Sequence, residues 1–370
     1  MTAGGGPKVS VLLPSLNARE FLEPRIDSLL KQTFTNWEAI VLDSQSTDGS
    51  WEFFQSIAKT DSRFRLHQIP REGLYAALNR GLDLATGEFL HVATADDSMS
   101  PEFLTEMLQA LARCSKAGIA ACDVLLIDRN GNELSRKHLA GRLSRRAARN
   151  LLSLENVRTG FPGERQRNIN YRPVPHDCLL HFDGRSVYLS LNQLVVRTTL
   201  AKAAAPFETT VGSVADFGWL LRLTGSTGSV HVPKRLAMWR YHGNQLSLRP
   251  DLSRPASQRA AAERALKNIC DDNPTLLTHN DRAALLLPFK ILERRSPIGR
   301  VFRWFEAAGR LGRMFFERPV STLRALLRVK FRFGTRRHTL LPMIFQGANL
   351  APRDVEKTLR SEPDGAVLSS

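Results

Sequence analysis

An alternation of short apolar segments and amphipathic segments runs through the first hundred residues and restricts the possible folds more than any other feature. The apolar segments have the length of buried strands, and the segments between them have apolar residues at helical spacing. The predicted strands are 9–14, 37–43, 64–69 and 88–94, and the predicted helices are 18–32, 51–59 and 73–85. Strands separated by helices of about a dozen residues predict βαβ units, hence an α/β fold with a mostly parallel sheet.

Polar residues follow three of these strands at the point where each strand ends. They are the segment Pro14-Ser15-Leu16-Asn17, the segment 43–48 and the segment 95–98. Ligands of open α/β sheets bind outside the carboxyl ends of the strands, so the three segments predict one small-molecule pocket. No GxGxxG pattern follows the first strand, which argues against a nicotinamide-dependent dehydrogenase.

Two adjacent acids, Asp96 and Asp97, end the fourth predicted strand. Adjacent carboxylates in a loop suit a hard divalent cation, which prefers oxygen ligands and accepts substrate phosphates in its shell. A second interpretation is purely structural: the acids turn the chain before a helix with Ser100 as N-cap and Pro101 at the first helical position. The other two polar strand ends favour the metal interpretation.

An ordered set of motifs resembles family 2 glycosyltransferases of the GT-A fold, over roughly residues 8–250. The motifs are VSVLLPSLN at 9–17, IVLDSQSTDGS at 40–50, GLYAALNRGLDLATGEFLHVATADD at 73–97, VADFGWLLRL at 214–223 and MWRYH at 238–242. The resemblance implies a Rossmann-like, mostly parallel sheet flanked by helices. It also implies an inverting transfer from a nucleotide-sugar donor, with Mn²⁺ or Mg²⁺ as cofactor.

The resemblance also assigns residues to the donor. Asp43 is expected to hydrogen-bond the base, and the residues expected to line the rest of the donor pocket are Pro14, Ser15, Asn17, Arg71, Asn79 and Asp96. Ser44 and Gln45 stand where similar enzymes often have Asp and Gly, which leaves the base preference open. UDP is the default donor nucleotide because it is usual among similar enzymes.

The metal motif of similar enzymes ends in acids that match Asp96 and Asp97, while Thr94 stands at the position of its first acid. One of the two carboxylates is expected to reach the ribose and the other the metal. His242 is a further metal candidate by resemblance, and Arg240 is expected to approach the diphosphate.

Asp216 matches the position of the catalytic base of similar enzymes. An inverting transfer needs one base, which removes the proton of the acceptor hydroxyl as that oxygen attacks the anomeric carbon. The alternative is that Asp216 caps the helix FGWLLRL. The resemblance favours the base, and an acid at a helix start can have both roles.

Residues 129–185 supply few signals. The Asn-Gly of RNGNE predicts a hairpin-like turn, and 137–152 is a basic helical run. A group of potential metal ligands consists of His176, Asp177, Cys178, His181 and Asp183. An acceptor-facing loop is the better interpretation of that group than a metal site.

The net charge of +16 is concentrated near the end of the chain, where charged, mostly basic residues of the segment 297–337 recur at helical spacing beside apolar and aromatic residues. Basic amphipathic helices with aromatic residues can lie on an anionic membrane surface. The alternative is that the apolar face packs on the body. A nucleic-acid-binding protein is the competing function, but the acids at the strand ends would repel phosphate without a metal, and no nucleic-acid-binding motif is evident.

The predicted organisation places a mainly helical, basic C-terminal extension after the α/β body. We predict a flexible start at 1–8, a nucleotide-sugar-binding half at 9–128, an acceptor-binding half with the base at 129–250, the extension at 251–355 and a disordered tail at 356–370. The four cysteines lack metal-site or disulfide spacing. Without an apolar signal core or a run of about 18 apolar residues, we expect a cytoplasmic protein, with peripheral contact to the cell membrane. The expected acceptor is a glycan or a lipid-linked hydroxyl in envelope or exopolysaccharide synthesis.

Overall fold

A computed structural model of the chain describes residues 9–134, 164–166, 169–182, 188–242, 254–272, 282 and 285–286. The strands are β1 (Val9–Ser15), β2 (Trp37–Asp43), β3 (Phe64–Gln68), β4 (Phe89–Val92), β5 (Ser98–Met99), β6 (Ala117–Ile127), β7 (Glu164–Gln166), β8 (Ile169–Arg172), β9 (Leu194–Arg197) and β10 (Gly228–Arg240). The α-helices are α1 (Arg19–Leu30), α2 (Ser50–Ala58), α3 (Leu74–Leu84), α4 (Phe103–Arg113), α5 (His176–His181), α6 (Thr198–Ala203), α7 (Ala215–Ser226) and α8 (Arg254–Asp272).

The strands form one mixed, mostly parallel sheet in the order β3-β2-β1-β4-β9-β6-β10-β8-β7, with β5 paired to β10. Neighbours are parallel from β3 to β4, and β6 is parallel to β10. Strand β9 is antiparallel to both β4 and β6, which makes β6 and β10 run in the same direction as β1 to β4. The carboxyl ends of β1 to β4, β6 and β10 therefore lie at one edge of the sheet, which we call the carboxyl edge.

Alternate residues of the central strands pack into two cores, one on each face of the sheet. In β1, Val11 and Leu13 face the core covered by α1, α2 and α4, while Leu12 faces the core covered by α3, α6 and α7. Strands β1 and β2 are buried along their whole length, which agrees with the mostly apolar sequences VSVLLPS and WEAIVLD. Helix α8 packs with α5 and α7 in a third, smaller cluster.

The predicted α/β class is confirmed, and the first four strands follow one another along the chain as predicted. Two boundaries near the acid pair differ from the prediction. Strand β4 ends at Val92, two residues early, and helix α4 begins at Phe103 with Glu102 at the N-cap position, so Ser100 does not cap it. Residues 98–99 instead form strand β5, which pairs with β10 and draws the loop after the acids into the sheet.

The later predictions are tested in part. The turn at 128–132 is present, closed by a bridge between Ile127 and Glu133. Helix α8 lies at the start of the region predicted as a mainly helical extension, and the four cysteines are buried and outside disulfides. No helix in the described ranges is long and apolar enough to cross a membrane. The basic segments 137–152 and 297–337 lie outside the described residues.

Candidate active site

Hydrogen bonds join the loops after β1 and β2 at the carboxyl edge of the sheet. Asn17 has a left-handed backbone with φ of 50°, and its side-chain oxygen accepts from the backbone N–H of Thr47 at 2.9 Å. In return, the Ser46 hydroxyl accepts from the backbone N–H of Asn17 at 2.9 Å. These reciprocal bonds join the two loops at the ends of β1 and β2, and we call this place, formed by residues 15–17 and 43–47, the notch.

Asp43 lies at the base of this notch. It is the last residue of β2 and is fully buried, and its carboxylate accepts from the backbone N–H and the hydroxyl of Ser46 at 3.0 and 2.5 Å. Ser15, paired with Asp43 in the parallel register, has a buried hydroxyl with no hydrogen-bond partner in the described chain. An unpaired buried hydroxyl beside a carboxylate is the arrangement that a polar ligand would complete.

Arg71 and Asn79 have different surroundings. The Arg71 guanidinium donates to the carbonyl oxygens of Ser44 and Gln45, so it borders the notch and supports the loop after β2. The Asn79 side chain is bonded at both ends to the backbone of Phe207, at 2.9 and 2.8 Å. Asn79 therefore anchors the segment before α7, and we leave it out of the proposed donor site.

Asp97 is enclosed by protein groups. One carboxylate oxygen accepts from the backbone N–H of Arg240 at 2.8 Å, and the other accepts from the hydroxyls of Thr94 and Ser190 at 2.5 and 3.3 Å. The residue is only 2% exposed. Burial and the neighbouring charge of Asp96 raise the pKa of the Asp97 carboxyl to about 7, while its hydrogen bonds oppose that shift.

Asp96 is the more accessible acid of the pair. Its side chain is 30% exposed, and one carboxylate oxygen lies 2.9 Å from Nε2 of His242. The His242 ring lies against Phe21, with 4.8 Å between ring centroids. The acid after β4 and the histidine after β10 are thus in contact beside the Phe21 ring. Their contact agrees with the prediction that both belong to one site.

Arg240 holds this edge together. Its guanidinium donates to the carbonyl oxygens of Asp96, Asp128 and Arg129 at 2.8, 3.1 and 2.9 Å. These carbonyls belong to the loops after β4 and β6, so Arg240 links both loops to the end of β10. Burial lowers the pKa of Arg240, and the charges of Asp97 and Asp96 oppose that shift. The sequence predicted that Arg240 approaches the diphosphate. Its hydrogen bonds instead direct the guanidinium to main-chain carbonyls.

Three neighbours of the acid pair were not predicted from the sequence. Ser190 and Asn192 lie just before β9 and bond Asp97 and the carbonyl of Ser98, while Arg25 of α1 donates to the side-chain oxygen of Asn192 at 3.1 Å. A signal for Arg25 was present: it stands four residues after Phe21 and four before Leu29, on the apolar stripe of α1.

Asp216 lies in the first turn of α7, which begins at Ala215 with Val214 at the N-cap position. It is therefore not the N-cap residue, although its carboxylate accepts from the backbone N–H of Phe217 at 2.7 Å. Helix α7 packs on the sheet and leads directly into the amino end of β10. Its first turn, with Asp216, therefore lies toward the carboxyl edge where the acid pair is found.

The suspected metal-ligand group around His176 is a structural network in its described part. Asp177 is buried, pairs with the Arg172 guanidinium at 2.5 Å and accepts from the hydroxyls of Tyr188 and Ser229. The Arg172 charge and these bonds lower the pKa of Asp177 against the effect of burial, which is the largest influence. In the described residues no three or more His, Cys, Asp or Glu side chains are grouped so as to hold a metal by themselves.

Solved structures and curated proteins were compared with this chain. Residues 1–349 of S. aureus TarS in complex with UDP match with a TM-score of 0.53 and 17% identity, over 76% of this chain and 70% of that one. The same fragment with UDP-GlcNAc gives a TM-score of 0.55 and 16% identity, over 78% and 72%. At this identity the likeness concerns the fold, and the fold is the GT-A fold of glycosyltransferases.

The sequence comparison concerns the first half of the chain. Residues 10–177, somewhat less than half of the chain, match the model of Glycosyl transferase family 2. Glycosyltransferase GlyG of Streptococcus pneumoniae serotype 4 is 33% identical over 102 residues, 27% of this chain and 34% of the relative. A PGL/p-HBAD biosynthesis glycosyltransferase of Mycobacterium tuberculosis is 36% identical over 94 residues, 25% of this chain and 37% of the relative. The chain spans well under half of the length of these relatives. The predicted family resemblance is confirmed.

Proposed function

We propose that the protein is a metal-dependent, inverting glycosyltransferase that moves a sugar from a nucleotide-sugar donor to a hydroxyl group. The observation that carries the proposal is the meeting of two sites at one sheet edge in a family 2 domain. One is the notch at Asp43, and the other is the Asp96–His242 pair beside the enclosed Asp97. A nucleoside needs the first site, and a diphosphate with its cation needs the second.

The donor set fits a divalent cation. Asp96 and His242 supply an oxygen and a nitrogen on adjacent side chains, and Asp97 adds negative charge close behind them. Two close carboxylates repel each other, and a cation relieves that repulsion. Asp96 and His242 would hold the cation, with diphosphate oxygens completing its shell. When bound, it would act as a Lewis acid that stabilises the leaving diphosphate.

In this proposal the protein's residues divide the remaining work. Pro14, Ser15, Asn17 and Asp43 bind the nucleoside, and Arg71 supports their loop. Asp216 removes the proton of the acceptor hydroxyl while the acceptor oxygen forms a bond to the anomeric carbon. The bond from that carbon to the β-phosphate oxygen breaks, and the configuration inverts because attack and departure occur on opposite faces.

Donor binding tests the first half of the proposal. We would titrate UDP, GDP and dTDP into the protein by calorimetry, with and without Mn²⁺, beginning with UDP because the TarS structures contain UDP and UDP-GlcNAc. Asp96→Asn is expected to weaken the Mn²⁺-dependent affinity by about tenfold or more. Asp83→Asn is the matched control, since Asp83 is an exposed acid near the end of α3 at the opposite edge. Failure of all three nucleotides to bind would remove the basis for a donor site.

Transfer to water tests the assignment of the base. Asp216→Asn should reduce the release of UDP from a UDP-sugar by about 100-fold or more, since general bases contribute about 10²–10⁴. The affinity for UDP with Mn²⁺ should stay within about twofold, because Asp216 does not touch the nucleotide in this proposal. An unchanged rate of UDP release would assign the base to another residue.

The acceptor and the membrane contact are further proposals. A relative named as a PGL/p-HBAD biosynthesis glycosyltransferase supports the expectation of a glycan or lipid-linked acceptor in envelope or exopolysaccharide synthesis. The basic segment 297–337 would place the enzyme on an anionic membrane surface. Flotation of the full chain with vesicles that contain or lack phosphatidylglycerol tests this contact. Equal recovery with both kinds of vesicle would contradict it.

A further inference from the structure

Arg25 is an arginine buried inside the fold. Its side chain is fully enclosed between α1 and the sheet, and it belongs to the largest fully buried side chains of the protein. One terminal nitrogen donates to Asn192, whereas Nε and the other terminal nitrogen have no hydrogen-bond partner in the described part of the chain. Burying a charge is costly unless an opposite charge compensates it, so the surroundings of Arg25 should contain that charge.

The compensating charges are the two acids of the candidate active site. Burial lowers the pKa of Arg25 to about 10, and the negative charges of Asp97 and, less strongly, Asp96 oppose that shift. Arg240 is the second buried arginine on which both acids act. Both carboxylates thus interact electrostatically with two buried guanidinium groups, one on α1 and the other at the end of β10.

A hydrogen-bonded path joins Arg25 to the loop of the acids. Asn192 accepts from Arg25 and donates to the carbonyl of Ser98 at 2.9 Å, directly after Asp97. Ser190 accepts from the backbone N–H of Asn192 at 3.1 Å and donates to the Asp97 carboxylate at 3.3 Å. Arg25 therefore acts on this loop both by charge and through the segment before β9.

We infer that Arg25 is a positioning residue of the donor site: the buried countercharge that, with Asn192, holds the Asp96–Asp97 loop from beneath without touching the substrate. The inference rests on the proposed function for its catalytic consequence. Since Asp97 is enclosed by the hydroxyls of Thr94 and Ser190 and the backbone N–H of Arg240, Asp96 is the acid left to face the cation and the diphosphate. Removing Arg25 should then affect the diphosphate end of the site and spare the nucleoside end.

A double-mutant cycle in urea unfolding tests the charge pairing without any ligand. The variants are Arg25→Met, Asp97→Asn and the double variant. Each single variant should be less stable than wild type. The double variant should be more stable than the sum of the two single losses predicts, and its unfolding equilibrium constant should be at least about tenfold smaller than the additive value. This factor corresponds to a coupling of about 1.4 kcal/mol. Arg25→Met combined with Asp83→Asn is the control pair and should be additive. Additivity of the Arg25 and Asp97 effects within about threefold would overturn the pairing.

Ligand binding then separates positioning from mere structural support. Arg25→Met should weaken UDP binding with Mn²⁺ by about tenfold or more, while uridine, followed by saturation-transfer NMR, should bind within about twofold of wild type. Arg25→Lys, which keeps the charge, should restore most of the UDP affinity and should fold even if Arg25→Met does not. Equal losses for UDP and uridine, or no rescue by lysine, would refute the positioning role. If wild type binds no UDP, the choice of donor fails, and the unfolding cycle still decides the pairing.

Discussion

Replacing Arg240 by methionine separates two roles for this residue. If the guanidinium serves the donor diphosphate, its loss should weaken UDP binding and leave the fold intact. In the structure it donates to three carbonyl oxygens in the loops after β4 and β6, at 2.8 to 3.1 Å, and the residue is only 3% exposed. Methionine can fill the space of the apolar stem of the arginine but cannot donate to any of these oxygens.

The magnitude follows from these bonds. Hydrogen bonds from a charged donor contribute roughly 1.5–3 kcal/mol each, and removing one side of a buried charge interaction costs about 3–5 kcal/mol. Since the bonds are not additive, we expect Arg240→Met to lower the free energy of unfolding by about 3–5 kcal/mol. For a body of this size the midpoint of thermal unfolding should fall by about 10 °C.

The assay is urea unfolding followed by circular dichroism, together with a thermal scan. Arg235→Met is the matched control, because Arg235 is on the same strand and forms an ion pair with Glu133 in which both side chains are about 60% exposed. Exposed pairs contribute about 0–1 kcal/mol, so the control should be close to wild type. A stability loss for Arg240→Met no larger than that of Arg235→Met would refute the linking role and return Arg240 to the diphosphate.

Two more predictions concern residues away from the acids. Asn79→Ala should lower the free energy of unfolding by about 1–3 kcal/mol, because it leaves the backbone N–H and C=O of Phe207 unpaired. The affinity for UDP, measured by calorimetry, should stay within about twofold of wild type. A loss of UDP affinity without a loss of stability would place Asn79 at the donor instead. His91 is buried, and desolvation and the charge of Arg25 lower its pKa from 6.5 to about 3. The unfolded chain therefore takes up this proton first, and the stability that His91 contributes above pH 6.5 is lost as the pH falls. Between pH 6 and 4, wild type should lose about 1.4 kcal/mol per pH unit more than His91→Asn in urea unfolding, whereas parallel pH profiles would show that His91 is not the titrating group.

Much of the fold of the first hundred residues follows from local sequence patterns. Apolar runs of strand length alternate with helical spacing, and polar residues stand where each strand ends. In a parallel sheet these ends must share one edge, so the nearness of Ser15, Asn17 and Asp43 follows from the pattern and the handedness of βαβ units. The acid pair at the end of β4 is located by the same argument.

The surroundings of the acid pair depend on contacts between distant parts of the chain. Strand β9 enters the sheet antiparallel between β4 and β6 and brings Ser190 and Asn192 to Asp97. Periodicity reports which face of an element is buried but not which later segment will cover it. For this reason the apolar stripe of α1 could suggest that Arg25 is buried, while its partner Asn192, 167 residues later, could not be inferred.

The sequence by itself determined the α/β class and the acids that lie at the carboxyl edge of the sheet, which is the candidate site, because strand and helix periods and strand ends are local properties. Only the tertiary structure decided how each charged group is used. Asp97 is enclosed, Asp96 faces His242, and Arg240 is bonded to main-chain carbonyls. These roles depend on burial and on the direction of hydrogen bonds, and both are fixed only when β9, β10 and α1 pack around the same loop.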